Sequence, residues 1–185
     1  LAQPDMGKNK NKFNAGNIVG TCYIDPSVTI GSYANGSLKH PYSTWDAVPK
    51  RSNMHYRVKR GTKLALLESI SFSGVQNIHI DAYGKGEAPR IEAIGIRHTI
   101  DLYNCKEVSI NNLTIKGNEG VISALRIKGN SSNIQLNNCS IQNTLWGIRL
   151  MGNGNVPATG NIRILNCTIK NIADDGIFAQ NIHQL

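Results

Sequence analysis

The chain has 185 residues, 40% of them hydrophobic, enough for one domain with a sizeable core. Its formal net charge of +8 calls for an acidic partner or substrate. No zinc-finger spacing, helix-turn-helix pattern or phosphate-cradling glycine loop points to nucleic acid, and no apolar run approaches the roughly 18 residues of a membrane span.

Residues 1–20 are polar and rich in Lys, Asn and Gly ("GKNKNKFNAGN"), the composition of an N-terminal arm. The chain opens on Leu1 without an initiator methionine, as processing or trimming would leave it. Residues 21–75 form an entry and capping segment: "CYIDPSVTIGSYANGSLKHPYSTWDAVP", then the closing strand "YRVKRGT". From residue 76 a repeat becomes legible. "NIHIDAYG" (Asn77 to Gly84) is its first, degraded copy, with Asp81-Ala82 at the corner, and "TIDLYN" (Thr99 to Asn104) is the strand that follows.

Three clearer copies come next: "EVSINNLTIKG" from Glu107, "NIQLNNCSIQN" from Asn133 and "NIRILNCTIKN" from Asn161, at steps of 26 and 28 residues. A period of that size signals stacked structural units. Within each copy apolar residues alternate, as Ile134, Leu136, then Cys139 and Ile141, and period two means strand. The alternation skips a beat at Asn111-Asn112, Asn137-Asn138 and Leu165-Asn166, where a corner redirects the chain. A further short strand closes each copy: "LRIKG" from Leu125, "IRLMG" from Ile148 and "IFAQN" from Ile177. Three short strands per repeat, with no helical period between them, describe one coil of an all-β parallel β-helix whose inward residues build a continuous column. The corner residues Asn112, Asn138 and Asn166 then stack, each amide able to bond its neighbour. Cys139 and Cys167 take equivalent inward positions as buried thiols, and the four cysteines show no metal-ligand spacing.

These corner asparagines resemble the asparagine ladder of the pectate-lyase-like right-handed parallel β-helix proteins, a class of polysaccharide lyases, glycoside hydrolases and phage tailspikes. The entry segment is similar to that of many secreted members: a strand ending at Asp25-Pro26, a Gly-rich loop, a turn from Pro41 to Trp45, a short helix and a strand closing on "KRGT". The resemblance implies a right-handed β-helix over 76–185. About three full rungs fit before Leu185, so an incomplete β-helix that continues beyond the given chain is expected, or a homotrimer in place of a monomer to cover the open strand edges.

In that class the substrate lies across the closing strand and its flanking turns. Its outward residues form two columns, Asp101, Arg126, Arg149, Phe178 and Tyr103, Lys128, Met151, Gln180. Adjacent Arg126 and Arg149 suit sugar carboxylates. The turns contribute His98, Glu119, Trp146, which can stack on a sugar ring, and the pair Asp174-Asp175. Those two aspartates, with Glu119, are candidate Ca²⁺ ligands, and they are also candidate acid and base for glycoside hydrolysis. The polygalacturonase-type signature is not reproduced: Leu145 follows Asn143-Thr144, no Gly-His-Gly exists, and Arg126-Ile127-Lys128 comes first where that family has it last. A basic strand face favours β-elimination, with Asp174, Asp175, Arg149 and Lys128 as catalytic candidates and Arg126, Arg149, Trp146, Phe178, Tyr103 and Asp101 binding substrate. The expected protein is therefore extracellular and holds, and cleaves, an acidic polysaccharide. A virion tailspike or fibre domain acting on a capsule, and a non-catalytic adhesin, are the alternatives.

Overall fold

The computed structural model describes residues 20–29, 33–118, 120–152 and 159–182, so the N-terminal arm and Glu119 lie outside the described residues. Sixteen strands and no helix are found there: β1 (Gly20–Ile24), β2 (Met54–Lys59), β3 (Lys63–Leu66), β4 (Ile70–Ser73), β5 (Gln76–Tyr83), β6 (Arg90–Ala93), β7 (His98–Tyr103), β8 (Lys106–Asn111), β9 (Thr114–Lys116), β10 (Ser123–Lys128), β11 (Ser131–Asn137), β12 (Ser140–Thr144), β13 (Trp146–Met151), β14 (Thr159–Leu165), β15 (Thr168–Ile172) and β16 (Ile177–Gln180). They form three parallel sheets. Sheet A runs β1-β2-β5-β8-β11-β14, sheet B β3-β6-β9-β12-β15 and sheet C β4-β7-β10-β13-β16. The chain visits A, B and C in turn, so the molecule is a parallel β-helix.

The alternating apolar residues explain the stacking. Tyr56, Ile80, Ile110 and Leu136 share one register in sheet A, Leu64, Ile91, Ile115 and Ile141 one in sheet B, and Ile100, Leu125 and Ile148 one in sheet C. All are buried and belong to one core. Each such side chain contributes about 1.5–3 kcal/mol on burial. The sheet A equivalents Met54, Ile78, Val108, Ile134 and Ile162 are 24, 30, 26 and 28 residues apart, so the coils differ in their loops and keep their strands.

Corners are set by backbone conformation. Asn112, Asn138 and Asn166 have φ of 57°, 53° and 52°, a left-handed conformation that asparagine adopts more readily than most residues. Asn138 Nδ2 donates to Asn112 Oδ1 at 2.7 Å and Asn112 Nδ2 to Asp81 Oδ1 at 2.7 Å, whereas Asn166 Nδ2 reaches Asn137 Oδ1 at 3.0 Å. The outer asparagines of each copy do the same backbone work: Asn133, Asn143, Asn161 and Asn171 have φ of 56°, 60°, 56° and 53°.

Three features depart from the sequence reading. Strands β2, β3 and β4, within the entry segment, pair in register with β5, β6 and β7 and complete a coil of their own. Strand β5 runs through Asp81-Ala82 without a corner, and the left-handed residue is Gly84. The expected short helix is a single turn, Val48 N–H to the Trp45 carbonyl at 3.0 Å. Pro41 and Pro49 bracket too few residues to propagate a helix. Trp45 instead packs on Tyr56 and Phe72, at ring distances of 5.5 and 6.3 Å, and plugs the first coil. All four cysteines are free; Cys139 is buried as expected, whereas its equivalent Cys167 is only partly buried.

Candidate functional site

Sheet C carries both outward columns in register. Asp101, Arg126, Arg149 and Phe178 align across β7, β10, β13 and β16, and Tyr103, Lys128, Met151 and Gln180 lie beside them. Neighbouring strands lie about 4.8 Å apart, so each column is a row of close side chains.

Two arrangements occupy this face. At one end Asp101 accepts from Arg126 twice, Nε to Oδ1 at 2.8 Å and Nη2 to Oδ2 at 2.6 Å. Lys128 Nζ stands 3.9 Å from the same carboxylate and 5.1 Å from the Tyr103 ring centre. Arg126 is therefore neutralised by its neighbour in the next coil. At the other end the Trp146 and Phe178 rings lie 5.3 Å apart, with the Arg149 guanidinium 4.5 Å from the first and 5.6 Å from the second. Among the described residues Arg149 has no carboxylate within ion-pair distance, and its buried Nε, like Trp146 Nε1, finds no acceptor. Partial burial first, then the like charges of Arg126 and Arg97, push the Arg149 pKa below its ordinary value. The half-buried cation sits against two aromatic faces, its Nε without an acceptor among the described residues.

His98 opens β7 beneath this face. It is buried, its Nδ1 is 2.8 Å from Ser123 Oγ, and burial followed by the Arg126 charge pushes its pKa down to about 4, against the opposing pull of Asp101. It is a neutral spacer under the arginines, a role its place before a strand does not announce.

The corner between sheets B and C adds a cleft of about 650 Å³, lined by Lys116, Asn118, Val121, Asn143, Thr144 and Leu145. Leu145 leads directly into Trp146, so the cleft borders the strand that carries the aromatic platform. Sequence reasoning met Lys116 as one of several cations and Asn143, Thr144 and Leu145 as a motif that fails to match, but gathered none of them into a cleft. The available signal was Gly117, where a Cβ would overlap the Asn143 carbonyl oxygen and the Thr144 methyl group.

Asp174 and Asp175 are exposed in the turn before β16, where the Asp174 N–H donates to the Leu145 carbonyl at 2.9 Å and the Asp175 carbonyl accepts from Gly147 at 3.0 Å. They border the cleft, three strand steps from Asp101, about 14 Å away. Among the described residues no cluster of three or more His, Cys, Asp or Glu is placed to hold a metal, and Glu119 lies outside them. No helix there is long and apolar enough to cross a membrane.

No family model and no curated protein matches the sequence. Two solved structures of the GH136 lacto-N-biosidase from Eubacterium ramulus are similar: the native protein at 14% identity and a TM-score of 0.66, and the selenomethionine derivative at 15% and 0.67. Each likeness covers 82% of this chain and 34% of the other, so the chain spans about a third of that enzyme's length. At such identity the likeness is one of fold, and it places the chain among parallel β-helices of the kind that enzyme uses.

Proposed function

We propose that the chain is a carbohydrate-active β-helix, working outside the cell, that holds an acidic glycan across sheet C and the adjoining cleft. The observation that carries this reading is the Arg149 guanidinium, half-buried against the Trp146 and Phe178 rings with no carboxylate of its own among the described residues. A sugar carboxylate would supply the missing counter-charge, and a pyranose ring has a face suited to the two aromatic surfaces. The Arg126–Asp101 pair and Lys128 extend the polar floor along the same strand face.

The reaction that suits this face is β-elimination. A base, for which Lys128 is the candidate, takes the proton beside the carboxylate, and a cation stabilises the resulting enolate. The enolate collapses to a C=C bond as the glycosidic C–O bond breaks and the leaving oxygen is protonated. Arg149 is the cation placed to stabilise the enolate. Hydrolysis is the second reading, favoured by the fold shared with a GH136 glycoside hydrolase. It requires two carboxylates roughly 5–9.5 Å apart. Asp101 is held by Arg126 and lies beyond that range from Asp175, which leaves Asp174 and Asp175 to serve together.

The test is binding and turnover of oligogalacturonate beside its uncharged methyl ester, for the native chain, Arg149→Ala and Trp146→Ala. The expected result is preference for the acid form, loss of about tenfold or more in affinity in Arg149→Ala, and a smaller loss in Trp146→Ala. Ultraviolet absorbance of unsaturated uronates would identify elimination, whereas reducing ends without it would identify hydrolysis. Loss of activity on Ca²⁺ removal, with the same loss in Asp174→Asn, would assign the two aspartates to a metal. Equal affinity for acid and ester, unchanged in Arg149→Ala, overturns the reading.

A further inference from the structure

Sheet B presents a second charged face, turned away from the aromatic platform. Its outward positions carry Lys63 on β3, Arg90 on β6, Lys116 on β9 and Lys170 on β15. The one acid on these strands is Glu92, which draws three of the cations together. Lys63 Nζ is 2.5 Å from Oε2, while Arg90 Nε and Lys116 Nζ are 3.3 and 3.7 Å from Oε1. The carboxylate lies underneath, its side chain 6% exposed, whereas Lys63 and Arg90 are 52% and 51% exposed. One buried negative charge thus organises three cations, Lys63 and Arg90 about half exposed and Lys116 29% exposed, and exposed Lys170 adds a fourth.

Between the cations the outward residues are small or amide-bearing: Thr114, Ser140, Gln142 and Thr168. A polar notch of about 270 Å³ beside Lys63 and Arg90 includes Thr62, Thr114 and Gln142, with Glu87 at its rim. Four strand steps, about 19 Å, separate β3 from β15, long enough for several sugar residues. These outward positions hold no aromatic ring on which a nucleic-acid base could stack. Hydroxyl and amide groups alternating with cations match a polymer that carries hydroxyls and anionic groups together.

We infer that the outward face of sheet B is a second docking surface for an anionic polysaccharide, through Lys63, Arg90 and Lys170, which lie outside the cleft beside sheet C, with Lys116 shared between the two. The shared ligand chemistry is a sugar polymer bearing sulfate or carboxylate groups, gripped by ion pairs and therefore weakened by salt. Such a surface would hold a long substrate while one segment of it occupies the cleft beside Trp146.

The experiment measures binding of dextran sulfate, polygalacturonate and uncharged dextran to the native chain, to Arg90→Gln/Lys170→Gln and to Arg149→Ala. Dextran sulfate and polygalacturonate report the sulfate and carboxylate sources separately. The expected result is binding of at least one of them but not dextran, steeply reduced by salt, and weakened about tenfold in the double variant, since an exposed ion pair contributes up to about fivefold. Arg149→Ala retains this binding, so failure of the sheet C reading leaves the result intact. Lys170→Gln alone, an exposed change remote from Glu92, is expected to cost about threefold and keeps the test valid if the Arg90 change perturbs folding. The inference is overturned by unchanged affinity in the sheet B variants, by loss of all anionic binding in Arg149→Ala, or by equally tight binding of a single-stranded oligonucleotide or of phosphatidylglycerol vesicles.

Discussion

Replacing Asn138 by glycine and by alanine separates two contributions that the corner residues combine. Asn138 sits at φ 53°, and its Nδ2 donates to Asn112 Oδ1 at 2.7 Å. Both substitutions remove that hydrogen bond, worth about 1 kcal/mol net at an exposed site. Alanine must also hold a left-handed conformation, at a cost of about 1–2 kcal/mol of which asparagine already bears part. Glycine adopts it freely and instead gains about 0.5 kcal/mol of unfolded-state entropy, which roughly cancels the strain it relieves. The expected losses are therefore about 2 kcal/mol for Asn138→Ala and about 1 kcal/mol for Asn138→Gly. Urea denaturation reads both from the midpoint, provided the slope is unchanged. A changed slope would mean that coils unfold separately. Equal losses in the two variants would refute the claim that backbone conformation selects asparagine at the corner.

Two further expectations concern stability. His98 is held near pKa 4 in the fold against 6.5 ordinarily, so the unfolded chain binds the extra proton between those values. Its contribution is complete above about pH 6.5 and is lost as the pH falls towards 4, with an upper bound of about 3 kcal/mol. His55 and His79 are pushed down in the same direction by burial, so the readout is the difference in slope between the native chain and His98→Gln; identical slopes would refute it. Glu107 occupies the column of Asn77 and Asn133 at φ 56°, where a glutamate has no means of easing the conformation. Glu107→Asn is expected to raise stability by about 0.5–1 kcal/mol, read from the thermal midpoint, and a lower midpoint would refute it.

What the sequence made legible was whatever the coil repeats. Period two places Asp101, Arg126, Arg149 and Phe178 on one outward column, because a strand stacked in register leaves its alternate residues no other side. The coil of β2, β3 and β4 escaped notice because Gly61 and Gly74, at φ 73° and 66°, hold corners that asparagines hold later. The backbone demand is the same, but glycine meets it without writing the recognisable phrase. The outer asparagines of each copy were legible as letters and not as backbone conformations.

The side-chain partners within the site were less legible, for a physical reason. Register fixes which residues are neighbours, but not which neighbour a flexible guanidinium chooses. Arg126 and Arg149 are equivalent in sequence pattern, yet Arg126 faces the Asp101 carboxylate on one side and Arg149 faces Phe178 on the other. That one difference in the adjacent coil gives Arg126 a partner and leaves Arg149 stacked on rings, with no carboxylate partner among the described residues. The column thereby acquires a polarity, from an ion pair at the β7 end to a half-buried cation on aromatic rings at the β16 end. A glycan carboxylate aligned on the column would be drawn to the second, because binding at the first must displace a bidentate pair that already exists.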